Sequence, residues 1–348
     1  ILYGAIIQSS VSRLEKMASC AYAHFLQYGL GLKEREEYAF EAVDMGNVFH
    51  GVLEIFAGKL ASKNYNMINF PEEEGRLILK EALESYAINY QNTVLFSTAR
   101  NAYAIEKMER ILWRTVRTLQ YQLQKGKFLP VNYEISFSAL EDLDAVKVSL
   151  SEDEKMYLRG RIDRVDTYEK DNNLYVKVVD YKSGEQQFQL AALYYGLQLQ
   201  LVVYLNAAME LQKKQNPGKN VLPAAFVYYH ISDPMAEGQE GITEEEIEQQ
   251  IKKQLRVTGI VNSDETVLKG LDQSHEEKSD VIPVEYKKDG NLSSRSSVMN
   301  QEEIEILQQY AKEKIEILGK EILDGKISID PKIFKKKEKQ MTRAMQAF

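Results

Sequence analysis

The nine residues from Leu174 to Lys182 constrain this chain more than any other stretch. Leu174, Val176 and Val178 are apolar at alternate positions, and Asp180 and Lys182 continue the same face. Such a run reads as a buried strand that ends in a carboxylate and an ammonium, about 7 Å apart along it. Ser183-Gly184 closes it. The preceding run, Met156 to Val165, sets Leu158, Gly160 and Ile162 on one face and Arg159, Arg161 and Asp163 on the other. Between the two, Tyr168 to Asn173 is polar and ends in Asp-Asn-Asn, a turn signal. A hairpin therefore brings Asp163 beside Asp180.

A mainly apolar helix is expected from about Phe188 to Leu211, with Gln200 and Tyr204 on one side at i,i+4 spacing. Two neighbouring carboxylates, a lysine beside the second and a helix closing over them outline a metal-dependent phosphodiesterase site. Context carries this reading, because Asp-x-Lys also begins at Asp153, Asp324 and Asp330 in polar or loop-like surroundings. Taken singly, Asp163 reads as well as a surface carboxylate paired with Arg161 or Arg164. By the same measure Lys182 reads as a solvated strand end and Tyr204 as core.

The rest of the chain supplies helices and further strands. Ser12-Arg-Leu-Glu15 reads as a capping box opening an amphipathic helix through Leu14, Met17, Ala18, Ala21, Phe25 and Leu26, ended by Gly29. Cys20 lies on that helix as a small buried hydrophobe. Asp44 to His50 leads into a helix through Val52, Leu53 and Phe56, and the residues alone leave His50 open between a packed histidine and a ligand. Glu72 to Gln124 reads as two long helices. The second carries Trp113 and the basic residues Arg100, Lys107, Arg110, Arg114 and Arg117, a solvated or a phosphate-tracking face. Pro130 introduces a strand, Val131 to Phe137, that contains Glu134. Asn216-Pro-Gly-Lys breaks the chain before another buried strand, Ala224 to Ile231. A charged helix (Thr243 to Leu255), a short strand candidate around Val281 to Tyr286, an amphipathic helix (Glu302 to Leu323) and a Lys335–Lys337 run complete the order.

These elements make a mixed α/β core with helical additions at both ends. Three segments are expected: a helical part, residues 1–128, that contributes His50; a core, residues 129–234; and a helical or extended part, residues 235–348, packing back on that core. The net charge of −8 has the wrong sign for gripping nucleic acid over the whole surface, so DNA contact is expected in a local basic groove or through a partner. The single cysteine excludes an internal disulfide and fits a reducing cytoplasm. No signal peptide or membrane-spanning apolar run is apparent, and no Walker-type loop predicts ATP hydrolysis in this stretch. The chain opens on Ile-Leu-Tyr rather than methionine, which reads as a piece of a longer protein.

The combination of His50, Gly160-Arg-Ile-Asp163, Asp180-Tyr-Lys182 and Gln200-Leu-Val-Val-Tyr204 resembles the RecB-like branch of the PD-(D/E)xK nucleases. Nearly end to end, the chain is similar to the C-terminal nuclease domain of the AddB family, the B subunits of bacterial ATP-dependent helicase/deoxyribonucleases. Ser10 to Leu32, Asp44 to His50, Tyr194 to Leu205, Val227 to Pro234 and Ser279 to Val298 carry that likeness. The resemblance implies a restriction-endonuclease-like fold and a cytoplasmic exonuclease that cuts one strand of unwound DNA. That cutting serves double-strand break processing for recombination. It implies Mg²⁺ or Mn²⁺ held by His50, Asp163, Asp180 and the Tyr181 carbonyl, with Lys182 acting on the attacking water and Gln200 and Tyr204 in support. Partners implied are an AddA-type subunit, the remainder of an AddB chain and single-stranded DNA, and no membrane. The alternatives are a free-standing RecB-like nuclease and a DNA-binding or docking scaffold that no longer cleaves.

One departure stands out. The family joins a cysteine at the position of Cys20 to three more near the C-terminus to hold a 4Fe–4S cluster, and this sequence has one cysteine in all. An ungapped continuation puts the first two of those positions near Gln340 and Arg343. Four thiolates are needed, so no such cluster is expected in this chain as it stands. The two ends are expected to join by packing, with Cys20 inert.

Overall fold

The computed structural model describes residues 4–33, 42–89, 99–140, 143–238, 241–274 and 277–332. The Lys335–Lys337 run, Gln340, Arg343 and the side chain of Arg100 lie outside them. The architecture rests on a six-stranded mixed sheet ordered β2-β5-β6-β7-β8-β9. Its strands are β2 (Leu129–Ser136), β5 (Arg161–Lys170), β6 (Asn173–Lys182), β7 (Asn220–His230), β8 (Thr258–Asn262) and β9 (Val298–Met299). β5 and β6 form the expected hairpin, with Arg164 opposite Val179, and β7 runs parallel to β6 with Tyr228 opposite Asp180. A second, three-stranded sheet is ordered β1-β4-β3, from β1 (Ile6–Ser10), β3 (Lys147–Ser149) and β4 (Lys155–Arg159).

Period-two alternation gives the large sheet two apolar faces. Leu174, Val176 and Val178 join one core with Ile162, Phe226 and Tyr228, under the helices α1 (Val11–Ser19), α7 (Gln200–Gln215) and α10 (Gln301–Leu323). Tyr175, Val179 and Tyr181 join the other core with Val227 and Tyr229, under α3 (Ala42–Ser62), α4 (Glu72–Asn89) and α5 (Ala99–Lys125). A sheet covered on both faces suits the near-continuous apolar reading of β6 and β7. This is the α/β restriction-endonuclease-like arrangement, and no helix among the described residues is long and apolar enough to cross a membrane.

The structure departs from the sequence reading at five places. The run Met156 to Val165 is two strands, β4 and β5, in different sheets. The chain crosses between them at Gly160, whose carbonyl accepts from the Phe137 N–H at 2.9 Å. The helix expected over Phe188 to Leu211 is α6 (Leu190–Tyr194) followed by α7, because the intervening loop turns through Gly196 at φ +78°. The N-terminal helix is capped by Ser10, which accepts from the Arg13 N–H at 3.1 Å, and not by a Ser12–Glu15 box. It also breaks at Cys20, where the backbone is extended, before α2 (Ala21–His24) and a π-helical turn, Phe25–Gly29. Val281 to Tyr286 is not a strand, since the Ser279 hydroxyl accepts from the Val281 and Ile282 N–H groups and bends the chain. Finally, the large sheet continues past residue 234 and takes β8 and β9 from the third segment. The expected charged helix is present as α8 (Glu244–Gln254), with a Thr243–Glu246 capping box.

Candidate metal centre and DNA-cleavage site

Three strands deliver carboxylates to one end of the large sheet. Asp163 precedes the Arg164–Val179 pair on β5, which sets it beside Asp180 of β6. Glu134 lies on β2 between Tyr133, which pairs with Arg164, and Ile135, which pairs with Ile162. Its φ of +49° is rare for a side chain of this size and marks stored backbone strain. The carboxylate is almost fully buried as a result of this placement, 4% exposed.

His50 reaches the cluster from α3, on the opposite face to α7. Its Nε2 lies 3.1 Å from the Tyr181 carbonyl, and its Nδ1 lies 3.4 Å from Glu134 Oε1 and 3.3 Å from Asp163 Oδ1. Both ring nitrogens thus face acceptors. Burial works against charge on this imidazole, but the Asp163 and Glu134 carboxylates more than offset it and raise its pKa to about 10. The other oxygen of Asp163 accepts from the Tyr181 N–H at 2.6 Å, which fixes the carboxylate against the neighbouring strand.

On the α7 side, Lys182 Nζ sits 2.6 Å from Asp180 Oδ2, off the direction of a good hydrogen bond. Lys182 also donates to Gln200 Oε1 at 3.1 Å, and Gln200 Nε2 donates to the Tyr204 hydroxyl at 2.8 Å. Burial raises the Asp180 pKa to about 7, with the nearby Asp163 charge adding to it and Lys182 opposing. Burial likewise raises Glu134, against the pull of His50, and pushes the Tyr204 phenol up. Asp180 and Glu134 are thus held above the usual carboxylate range, by burial first. A cation held between them would stabilise their charged forms.

Every residue singled out from the sequence for the site lies in this constellation: His50, Asp163, Asp180, Tyr181, Lys182, Gln200 and Tyr204. Two more were not assigned. Glu134 has ligand atoms within 4.8 Å of those of His50 and Asp163, and the three form a group fit to hold a metal ion. In Val131-Asn-Tyr-Glu-Ile-Ser136 it falls on an ordinary polar position of the period-two alternation, so the sequence carried no signal for it. Glu15, read as part of a cap, instead accepts from the Leu199 N–H at 2.8 Å and the Gln200 N–H at 3.2 Å. The donor set of two or three carboxylates, one imidazole and one carbonyl suits a hard divalent cation of the Mg²⁺ or Mn²⁺ type.

The basic face of α5 is less open to DNA than its charge suggested. Arg110 and Arg114 both pair with Asp233, and Arg117 pairs with Glu72. Arg161 is the more exposed guanidinium beside the site, 3.4 Å from Glu134 and 3.7 Å from Glu54.

Residues 8–333 match the profile of the PD-(D/E)XK nuclease superfamily. Over 343 residues the chain is 43% identical to a Lachnoclostridium phytofermentans protein named as the B subunit of an ATP-dependent helicase/deoxyribonuclease. That match covers 95% of this chain and 28% of the relative. Proteins of the same name from Clostridium kluyveri and Alkaliphilus metalliredigens are 38% and 36% identical, again over 29% of their length. The chain therefore spans under a third of the curated relatives it matches.

Proposed function

The chain belongs to the PD-(D/E)XK nuclease superfamily, and from that premise we propose that it hydrolyses phosphodiester bonds of DNA at the Asp163–Asp180–Lys182 site. The observation that carries this reading is the convergence of three strand-borne carboxylates, His50 and Lys182 at one sheet end. His50, Asp163, Asp180 and the Tyr181 carbonyl would hold Mg²⁺ or Mn²⁺, with Glu134 as a further oxygen ligand. A bound divalent cation supplies positive charge at the scissile phosphate and acidifies water there.

The chain's own residues do the rest. Lys182 faces the same space as Asp180 and donates toward an attacking water or a non-bridging phosphate oxygen, where charge grows in the transition state. Gln200 limits the lysine to that direction through its 3.1 Å contact, and Tyr204 holds Gln200 in turn. Arg161 stands at the rim, placed to meet a backbone phosphate of the strand being cut.

The relatives' names support the helicase–nuclease part of a finer reading, and the family resemblance supplies its exonuclease and recombination part. The chain serves as the nuclease portion of a helicase–nuclease, acting as an exonuclease on one strand of unwound DNA at a double-strand break during recombination. The remainder of a B-type chain and an A-type partner complete that machine. The relatives' length, more than three times the matched stretch, speaks against a free-standing nuclease.

The test is Mg²⁺- or Mn²⁺-dependent cleavage of end-labelled single-stranded DNA, with Asp180→Ala beside the wild type. Cleavage lost on mutation and on EDTA addition is the expected result. Absence of both cleavage and calorimetric metal binding in the wild type would replace this reading with a non-cleaving scaffold.

A further inference from the structure

Glu15 has no part in the chemistry above, yet its half-buried side chain sets a carboxylate against the start of α7. The first turn of α7 has no cap of its own, since Leu199 at the N-cap position makes no side-chain hydrogen bond there. Glu15 Oε1 fills that role from a distant helix by accepting the Leu199 and Gln200 N–H groups. Gln200 is the residue whose side chain then bridges Lys182 and Tyr204. Four residues from three elements therefore form one connected row, Glu15 to Gln200 to Lys182 to Asp180.

The helix that carries Glu15 is held independently of the site. Leu14, Met17 and Ala18 of α1 are buried in the core shared with α7 and α10. The α6–α7 loop presses on the same helix, because a Cβ placed on Gly196 would stand 3.1 Å from the Ala18 Cβ and 3.4 Å from Leu318 Cδ1. At its far end α1 is tied to the C-terminal stretch, where Lys332 donates its N–H to the Ser19 carbonyl at 2.8 Å and Tyr22 donates to the Ser328 carbonyl at 3.2 Å. α1 thus links residues 328–332 to the first turn of α7. Glu15 also lies within electrostatic reach of Lys182 and Asp180, and burial raises its pKa to about 7.

We infer that Glu15 is a positioning residue: it fixes the first turn of α7, and through Gln200 it sets where the Lys182 ammonium stands. The consequence is that the contact between α1 and residues 328–332, although remote from the metal ligands, governs the lysine. This inference rests on the nuclease reading, and the experiment separates the two.

Glu15→Ala and Glu15→Gln are compared with wild type in the full chain by single-turnover, Mn²⁺-dependent cleavage of single-stranded DNA, by Mn²⁺ calorimetry and by amide hydrogen exchange. Removing the acceptor should slow cleavage about 10- to 100-fold, as displacement of a reacting group by about 1 Å does. KM and Mn²⁺ affinity should stay at wild-type values, and exchange should accelerate at Leu199 and Gln200. Glutamine presents a carbonyl oxygen to the same two N–H groups and should restore the rate to within about threefold. If the alanine variant does not fold, Glu15→Asp, which retracts the carboxylate by one methylene, should show the slower rate and faster exchange. Wild-type rates in Glu15→Ala, or a glutamine variant as slow as alanine, would overturn the inference. Loss of Mn²⁺ affinity in step with the rate would overturn it too. If wild type itself neither binds Mn²⁺ nor cleaves, the nuclease reading fails separately; unchanged exchange at Leu199 and Gln200 in Glu15→Ala would then sink the positioning role by itself.

Discussion

Replacing Asp180 by asparagine should abolish cleavage and, in the absence of metal, make the protein more stable. Asp180 is 2% exposed, has Asp163 beside it, and titrates at about 7 where an unfolded aspartate titrates at 3.8. The folded pKa is the raised one, so as pH rises from 3.8 towards 7 the unfolded state releases its proton first and stability falls. Above about 7 the loss is complete, and the difference between the two pKa values corresponds to about 4 kcal/mol. Asparagine has the same shape without the charge, but it forgoes the 2.6 Å ion pair with Lys182. The raised pKa already includes the pull of Lys182, so the gain at pH 8 is about 4 kcal/mol at most. Urea denaturation in EDTA at pH 8 and at pH 4 measures it, and the two proteins should converge at the acid end. Adding Mn²⁺ should narrow the difference, because a ligand at a hundredfold its Kd stabilises the wild type by about 2.7 kcal/mol. A variant less stable than wild type in EDTA at pH 8, or a difference that ignores pH, would refute the reasoning.

Three further outcomes are expected. Asp166 is fully buried between Arg164, at 2.8 Å, and Lys177, at 2.7 Å, so Asp166→Asn should leave two buried cations and cost about 3 to 5 kcal/mol in thermal or urea unfolding. His24 is buried and its pKa is lowered to about 4, by burial first and then by the Arg13 guanidinium, whose Nε donates to it at 3.1 Å. Its contribution is present above pH 6.5 and disappears as pH falls towards 4; about 3 kcal/mol of acid sensitivity should flatten in His24→Gln. Glu134→Gln should weaken Mn²⁺ binding about 10- to 100-fold by calorimetry if this carboxylate supports the metal. Unchanged affinity would confine Glu134 to holding His50.

Period two in β6, and the turn signal before it, determined most of what matters here: a hairpin with Asp163 beside Asp180 and Lys182 on the same face. Those features are local, since strand alternation and turn chemistry act over a few residues. The i,i+4 relation of Gln200 and Tyr204 was legible for the same reason, although the helix around it breaks at Gly196. His50 could not be placed by local rules, because its partner carbonyl at Tyr181 is 131 residues away. Glu134 needed a left-handed backbone that nothing in Tyr-Glu-Ile announces. Glu15 shows the limit most clearly. Spacing made it a local cap of α1, and the fold turned it outward to cap α7 across 184 residues of chain. Sequence patterns set which faces are buried and which residues stand next to one another on a strand or a helix. Only the packing of α1 and α3 against opposite faces of the sheet decided which distant side chains complete the site.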